Sequence, residues 1–177
     1  MLVDYFKEYG LDTKNIDKYE RYKKLILDYN QHTNLTRITE DDEFNVKHFL
    51  DCLSLLKTGK FSGSEKIIDI GTGAGFPGLP LKLYNERLDV TLLDSLRKRI
   101  DFQDGVIEGL GLENIRAIHA RAEEIARTDE YREQFDLAVS RAVANLSTLT
   151  EYAMGFVKVG GYFISQKGPE YKEEIKN

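Results

Sequence analysis

Cysteine is nearly absent from this 177-residue chain: Cys52 is the only one. No internal disulfide can form, which fits a reducing cytoplasm. No apolar run approaches the length of a bilayer-spanning helix. The opening MLVDYFKEYG has no basic stretch leading into an apolar one, so a secretory signal is not expected there. There are no internal repeats and no low-complexity tracts. Positive charge is not in excess either. The net charge is −5, with a pI of about 5.3, which disfavours indiscriminate binding of nucleic acid but leaves room for a specific RNA held by a local basic patch. Three chemical signatures are also missing: the G-x-S-x-G elbow, the P-loop lysine motif and the zinc-deaminase pattern. His48 and Cys52 stand one helical turn apart beside Asp51. His32 and His119 have no ligand spacing around them, so no metal site is expected.

What is present is a soluble composition, 41% hydrophobic and 31% charged, in a chain long enough for a sizeable core. Residues 1–60 read as helical. Ile16, Tyr19, Tyr22, Leu25, Ile26 and Tyr29 recur at three and four, the stripe of an amphipathic helix. NQHTNLT at 30–36 should break it. Thr39 then precedes acids that suit a first helical turn, and Val46, Phe49, Leu50, Leu53 and Leu56 form the next apolar face.

From residue 63 the pattern changes. Short apolar runs at 66–70, 90–94, 115–119, 135–140 and 161–166 alternate with helical segments at 78–84, 95–110, 123–131 and 146–157. Alternating β and α implies a parallel, doubly wound α/β sheet of Rossmann-like kind. The expected organisation is an N-terminal helical extension, 1–60, packed on one α/β domain, 61–177.

The first strand and its turn, KIIDIGTGAGFPGLP, carry the strongest chemical signal. Glycine serves where backbone must approach a ligand or take positive φ, and a helix starting there should aim free N–H groups at the ligand. The dinucleotide fingerprint G-x-G-x-x-G needs a third glycine for close helix–strand packing. Counting from Gly71, that place holds Phe76, which argues against a pyrophosphate binder. The spacing D-x-G-x-G-x-G instead resembles motif I of the S-adenosylmethionine-dependent methyltransferases. Asp94 ends the second strand about twenty residues on, where an acid can bond ribose hydroxyls or cap the following helix. Ala122 and Glu123 follow the third strand and can wall an adenine, although Glu123 also suits a helix start. Arg141 follows the fourth strand, at the edge where ligands collect, or is a surface cation.

Taken together, the motifs resemble the glucose-inhibited division protein B family of small-subunit ribosomal RNA methyltransferases. They are NLT at 34–36, H-x-x-D at 48–51, DIGTGAGFPGLPL at 69–81, LLDS-x-x-KR at 92–99, LENI at 112–115, RAE at 121–123, FD…SRAVA at 135–144 and QKG at 166–168. The resemblance covers nearly the whole chain. It implies a class I methyltransferase fold, S-adenosylmethionine as donor and N7 of a guanine in 16S rRNA as acceptor. It places Gly71 and Phe76 along the cofactor, with Gly73 and Gly75 shaping the turn. It puts Asp94 on the ribose, Ala122 and Glu123 beside the adenine, and Arg141 at the methionine or substrate side. His48 and Arg141 are candidates for holding RNA, with Lys98, Arg99 and Lys167 as a basic rim.

Because guanine N7 has a free lone pair, no catalytic acid or base is expected. The expected partner is 16S rRNA or the small ribosomal subunit, met by a monomer away from any membrane. Two departures stand out. Cys52 replaces the family's usual serine, and nothing in YKEEIKN at 171–177 encodes the last two strands of the fold, so a truncated domain is expected. Three other readings are open: a small-molecule or protein methyltransferase, a nicotinamide-dependent oxidoreductase, and a non-catalytic RNA-binding remnant.

Overall fold

The computed structural model describes residues 1–33, 35–141 and 145–168. Asn34, the AVA of SRAVA and the 171–177 tail on which the truncation was read therefore lie outside the described residues.

Five parallel strands form one sheet in the order β3-β2-β1-β4-β5. They are β1 (Lys66–Ile70), β2 (Asp89–Asp94), β3 (Ile115–His119), β4 (Phe135–Arg141) and β5 (Val157–Gln166). The order reverses between β1 and β4, and ligands of doubly wound sheets collect beyond the strands' carboxyl ends at such a point. Both faces are covered. On one, Ile67, Val90, Leu92, Leu137 and Val139 pack against α2 (Ile16–Asn30), α5 (Gly78–Tyr84) and α6 (Arg97–Leu110). On the other, Ile68, Ile70, Leu93 and Ala138 meet α7 (Ala122–Ile125) and α8 (Leu146–Phe156). Strands buried on both sides read as continuous apolar runs, which is why they stand out in the sequence.

The helical extension shares the first core. Phe6 of α1 (Leu2–Glu8), Tyr19, Tyr22, Phe44 and Phe49 are fully buried and reach Phe76 of the glycine turn through edge and tilted ring contacts. Such pairs contribute about 0.5–1.5 kcal/mol each beyond their buried area. Tyr19 Oη donates to the carbonyl of Pro80 at 2.6 Å, and Tyr22 Oη to that of Ala74 at 2.7 Å.

Four details differ from the sequence reading. The third helical region begins at Asp41 with Glu40, not Thr39, at its N-cap, and no side chain caps it. It is not a continuous α-helix. After α3 (Asp41–Phe44) comes a π-helical stretch, Asn45–Leu50, then α4 (Asp51–Leu53) and a 3₁₀ turn, Ser54–Thr58. The widened turn shifts the phase of the face, so Val46 is 39% exposed while His48, Cys52 and Leu55 are buried. The acidic stretch after β3 is helical only over Ala122–Ile125, and β5 starts at Val157, earlier than its apolar run. Among the described residues no helix is long and apolar enough to cross a membrane.

Candidate active site

The glycine turn is held by its own backbone. Gly71 and Thr72 donate their N–H groups to Leu93 O of β2 at 2.8 and 3.1 Å, and Gly75 and Phe76 donate to Thr72 O at 2.9 Å each. Gly73 has φ +61°, and a Cβ built on it meets no atom within 4 Å, so its outer side is open. Gly75 is the opposite case. At φ +107°, its Cβ would lie 2.2 Å from Leu79 Cδ1 and 2.8 Å from Tyr22 Oη.

The helix after the turn does not offer its N-terminus to a ligand, contrary to expectation. Gly78 N–H, at the start of α5, donates to Asp69 Oδ2 at 2.7 Å, as does the Thr72 hydroxyl at 2.7 Å. Leu79 N–H goes to Gly75 O. A carboxylate of the chain thus occupies the place where a pyrophosphate would sit in a dinucleotide binder. Asp69 is fully buried, and burial pushes its pKa up to about 7 against the opposing bonds from Thr72 and Gly78 and the charge of Arg141. Its Oδ1 has no hydrogen-bond partner.

Asp94 closes the other side of the turn. Its Oδ2 accepts from Gly73 N at 2.9 Å and from Arg99 Nη1 at 3.2 Å, and its Oδ1 accepts from Leu96 N at 3.0 Å. Asp94 is not the N-cap of α6, which is Leu96 without a side-chain cap; its carboxylate instead holds the Leu96 N–H just before the helix and borders a cavity. That cavity, of about 500 Å³, is lined by Gly71, Asp94, Arg99, Ala122, Glu123 and, from α8, Tyr152.

A second cavity, of about 740 Å³, lies between the extension and the ends of β4 and β5. Apolar Leu11, Ile38, Val46 and Leu50 line it together with Lys57 and Arg141. Arg141 is gripped by the helical stretch before the sheet. Its Nη1 donates to Lys47 O at 3.1 Å, lies 3.7 Å from Cys52 Sγ and stands 3.6 Å from Asp51 Oδ2. Its Nη2 is 3.1 Å from His48 Nδ1, and its Cζ lies 4.6 Å from the centre of the Phe76 ring.

Matching against known proteins now gives this geometry a family. The family model described as GidB, rRNA small subunit methyltransferase G, matches residues 15–177. The chain belongs to that family. A Thermoanaerobacter sp. (strain X514) protein named Ribosomal RNA small subunit methyltransferase G is 53% identical over 179 residues, covering all of this chain and 75% of its own length. One of the same name from Clostridium tetani is 51% identical over 166 residues, covering 94% of this chain and 70% of its own. Among solved structures, a SAM-dependent methyltransferase from Aquifex aeolicus superposes with a TM-score of 0.56 at 20% identity, over 75% of each chain. The fold is the class I methyltransferase fold, and this GidB-family chain is a methyltransferase.

The residues singled out in this family member fall into two groups. Gly71, Asp94, Ala122 and Glu123 converge on the smaller cavity. Gly73 joins them through its N–H on Asp94. Phe76 does not line it: the ring is only 5% exposed, beneath His48 and Arg141. His48 and Arg141 line the larger cavity. Leu149 and Tyr152 of α8 and Arg99 also line the smaller one. Arg99, expected on a basic rim for RNA, instead bonds Asp94 at the smaller cavity, whereas nothing local marks the α8 pair. Thr36, the last residue of NLT, meets His48 and had no role assigned.

S-adenosylmethionine fits the smaller cavity on the chain's own terms. A Cβ on Gly73 would point into open space, beside the Asp94 carboxylate that its N–H holds at the edge of the cavity. Asp94 Oδ1 accepts a single bond and retains room for a hydroxyl donor. Leu93, Ala122 and Leu149 supply an apolar surface for a base.

Proposed function

We propose that this chain transfers the methyl group of S-adenosylmethionine to N7 of a guanine in 16S rRNA, presented as RNA or in the small ribosomal subunit. The carrying observation is Asp69 on the α5 N-terminus, with Asp94 beside an open glycine cradle. The first feature disfavours a nicotinamide cofactor, and the second suits the sugar of a nucleoside that brings no phosphate. Bound in that cradle, the cofactor supplies an electrophilic methyl group on a sulfonium.

The chain's part is to hold and align. Gly71 and Gly73 provide close backbone, Asp94 takes the ribose, and Ala122 and Glu123 border the adenine. Phe76 contributes by fixing the turn against the extension. Arg141 stands at the substrate side with its guanidinium directed to the larger cavity. N7 of neutral guanine needs no deprotonation, so no residue has to act as a base, and alignment of the reactants can supply roughly 7–11 kcal/mol. Residues 1–60 act as an extension that walls the substrate side of the 61–177 domain. The protein works as a cytoplasmic monomer, and its single, buried Cys52 suits that compartment.

The deciding experiment supplies methyl-labelled cofactor with small subunits, naked 16S rRNA or bulk protein, and maps N7-methylguanine by chemical cleavage at the modified base. Label confined to one guanine of 16S rRNA is expected. Label on protein, or stabilisation by a nicotinamide cofactor but not by S-adenosylmethionine, would overturn the reading.

A further inference from the structure

His48 stands out because it borders the larger cavity and yet both its ring nitrogens are taken up by the protein. It is 7% exposed, and its ring lies stacked on Phe76 at 4.5 Å and 11°, edge-on to Phe44 at 4.6 Å. Both ring nitrogens are engaged by the protein: Nδ1 lies 3.1 Å from Arg141 Nη2 and Nε2 lies 2.9 Å from Thr36 Oγ1. A guanidinium carries only donors. Nδ1 must therefore be the acceptor, the ring proton sits on Nε2, and Nε2–H donates to Thr36 Oγ1. Thr36 Oγ1 also accepts from Ile38 N at 3.1 Å, and the loop carrying Thr36 is folded by Asn30, whose Oδ1 accepts from the N–H groups of Leu35 and Thr36.

The backbone under His48 is the π-helical stretch Asn45–Leu50. Such wide turns are rare and occur often at functional sites. Here the turn presents two acceptors to one guanidinium, the Nδ1 of His48 and the carbonyl of Lys47. Burial, and then the charge of Arg141, lower the His48 pKa to about 4, so the ring is neutral near pH 7 and the acceptor persists.

We propose that His48 is a positioning residue for Arg141: the Thr36–His48 bond fixes the ring with Nδ1 bare, and that nitrogen, with the Lys47 carbonyl, aims the guanidinium at the cavity between the extension and β4. This rests on the reading of Arg141 as the substrate-side residue, and it replaces the expectation that His48 itself touches RNA. A buried ring with both nitrogens taken has no group left to offer a phosphate or a base.

Three substitutions separate the contacts. An asparagine carboxamide places its oxygen where Nδ1 was, a glutamine reaches the place of Nε2, and a phenylalanine keeps only the stack. His48→Asn should retain methyl transfer within about threefold of the parent, while His48→Gln and His48→Phe should lose about tenfold to a hundredfold, the range for a lost bond to a charged group. Cofactor Kd should stay close to the parent in all three, while the melting temperature should fall in each because a buried, hydrogen-bonded ring is replaced. Nitrogen-detected NMR of the parent should show His48 protonated on Nε2 and bare on Nδ1, and the Arg141 guanidinium signals should shift in the phenylalanine variant but not in the asparagine one.

A ring protonated on Nδ1, or Arg141 signals indifferent to His48→Phe, overturns the proposal whatever the activities. Equal activity of the glutamine and asparagine variants overturns it as well. If the spectra hold while Arg141→Lys and all three His48 variants transfer methyl normally, the reading of Arg141 fails, and with it the role of His48 in the reaction.

Discussion

The two cavities at the carboxyl edge of the sheet are built on different plans. The one at Asp94 is assembled from strand ends and the segments just after them: the glycine turn after β1, Asp94 at the end of β2, Ala122 and Glu123 after β3. Its residues stand where any doubly wound sheet delivers them. The one at Arg141 joins parts of the chain some ninety residues apart, as the 93-residue separation of His48 and Arg141 shows. Fold topology alone makes the first. The second exists because the extension lies against β4 and β5. On the proposed function, the scaffold shared among methyltransferases would hold the methyl donor, and the added helices would wall the acceptor.

The comparison breaks most severely inside the glycine turn. Gly75→Ala should cost about 2–5 kcal/mol of stability, combining overpacking with a strained φ, because its Cβ would collide with Leu79 and Tyr22. Urea unfolding checks this. Gly73→Val projects into open space. It should leave a folded protein, about 1–2 kcal/mol weaker from the positive φ, that no longer binds cofactor by titration calorimetry. Equal stability losses at the two positions would mean that Gly73 is structural and the cofactor site misplaced.

Asp94→Ala tests the donor side alone. Cofactor Kd should rise about tenfold to a hundredfold, the effect of removing a charged acceptor, with transfer recovering at saturating cofactor. Arg141→Lys tests the acceptor side. Lysine lacks the planar fork, so methyl transfer to small subunits should fall about tenfold, one lost hydrogen bond's worth, with cofactor Kd nearly unchanged. If cofactor affinity falls with it, so that Kd rises, Arg141 serves the methionine carboxylate and the division between the cavities dissolves.

The last test is a difference in pH dependence. Burial raises Asp69 from an ordinary 3.8 to about 7. The fold therefore binds its proton more tightly than the unfolded chain does. Its stabilising contribution is complete below about 3.8 and is lost as pH rises through about 7. Asp69→Asn removes that loss and lets an amide take the place of the unpartnered Oδ1, so the variant's stability relative to the parent should climb between pH 5 and pH 8. His48, lowered from 6.5 to about 4, has the opposite sign: its contribution is present above 6.5 and lost as pH falls through about 4. It is common to both proteins and cancels in their difference. A flat difference curve would mean that Asp69 titrates normally.

These properties were unequally legible in the chain. β1 and β3 coincide with their apolar runs: β1 is an inner strand with Ile67, Ile68 and Ile70 buried, and β3 is an edge strand whose Ile115, Ala117 and Ile118 are half-buried while Arg116 and His119 are exposed. Asp94 was readable from the length of one βαβ step. The π-helical stretch was not. Val46, Phe49, Leu50 and Leu53 satisfy an ordinary helical stripe, while the partners that His48 meets on the inward side, Phe76 and Arg141, lie far away in sequence. Phe76 was read for its misfit with a dinucleotide motif, and its misfit is explained by the extension: the ring occupies the space that a glycine would leave for a helix. The Asp69 bond to Gly78 was missed although both residues lie in the motif, since the pattern shows that an acid is there but not which donors it will find.

The hydroxyls of Tyr19 and Tyr22 bond to carbonyls of residues 80 and 74, and this fixes an order of events at the ribosome. Synthesis delivers the tyrosines first, and their partners emerge more than fifty residues later. Until then those two hydroxyls lack the acceptors they use in the fold. The reverse also holds. Without residues 1–60, Phe76 would lose its ring contacts with Tyr22, Phe44, His48 and Phe49, and the carbonyls of Ala74 and Pro80 would lose their tyrosine donors.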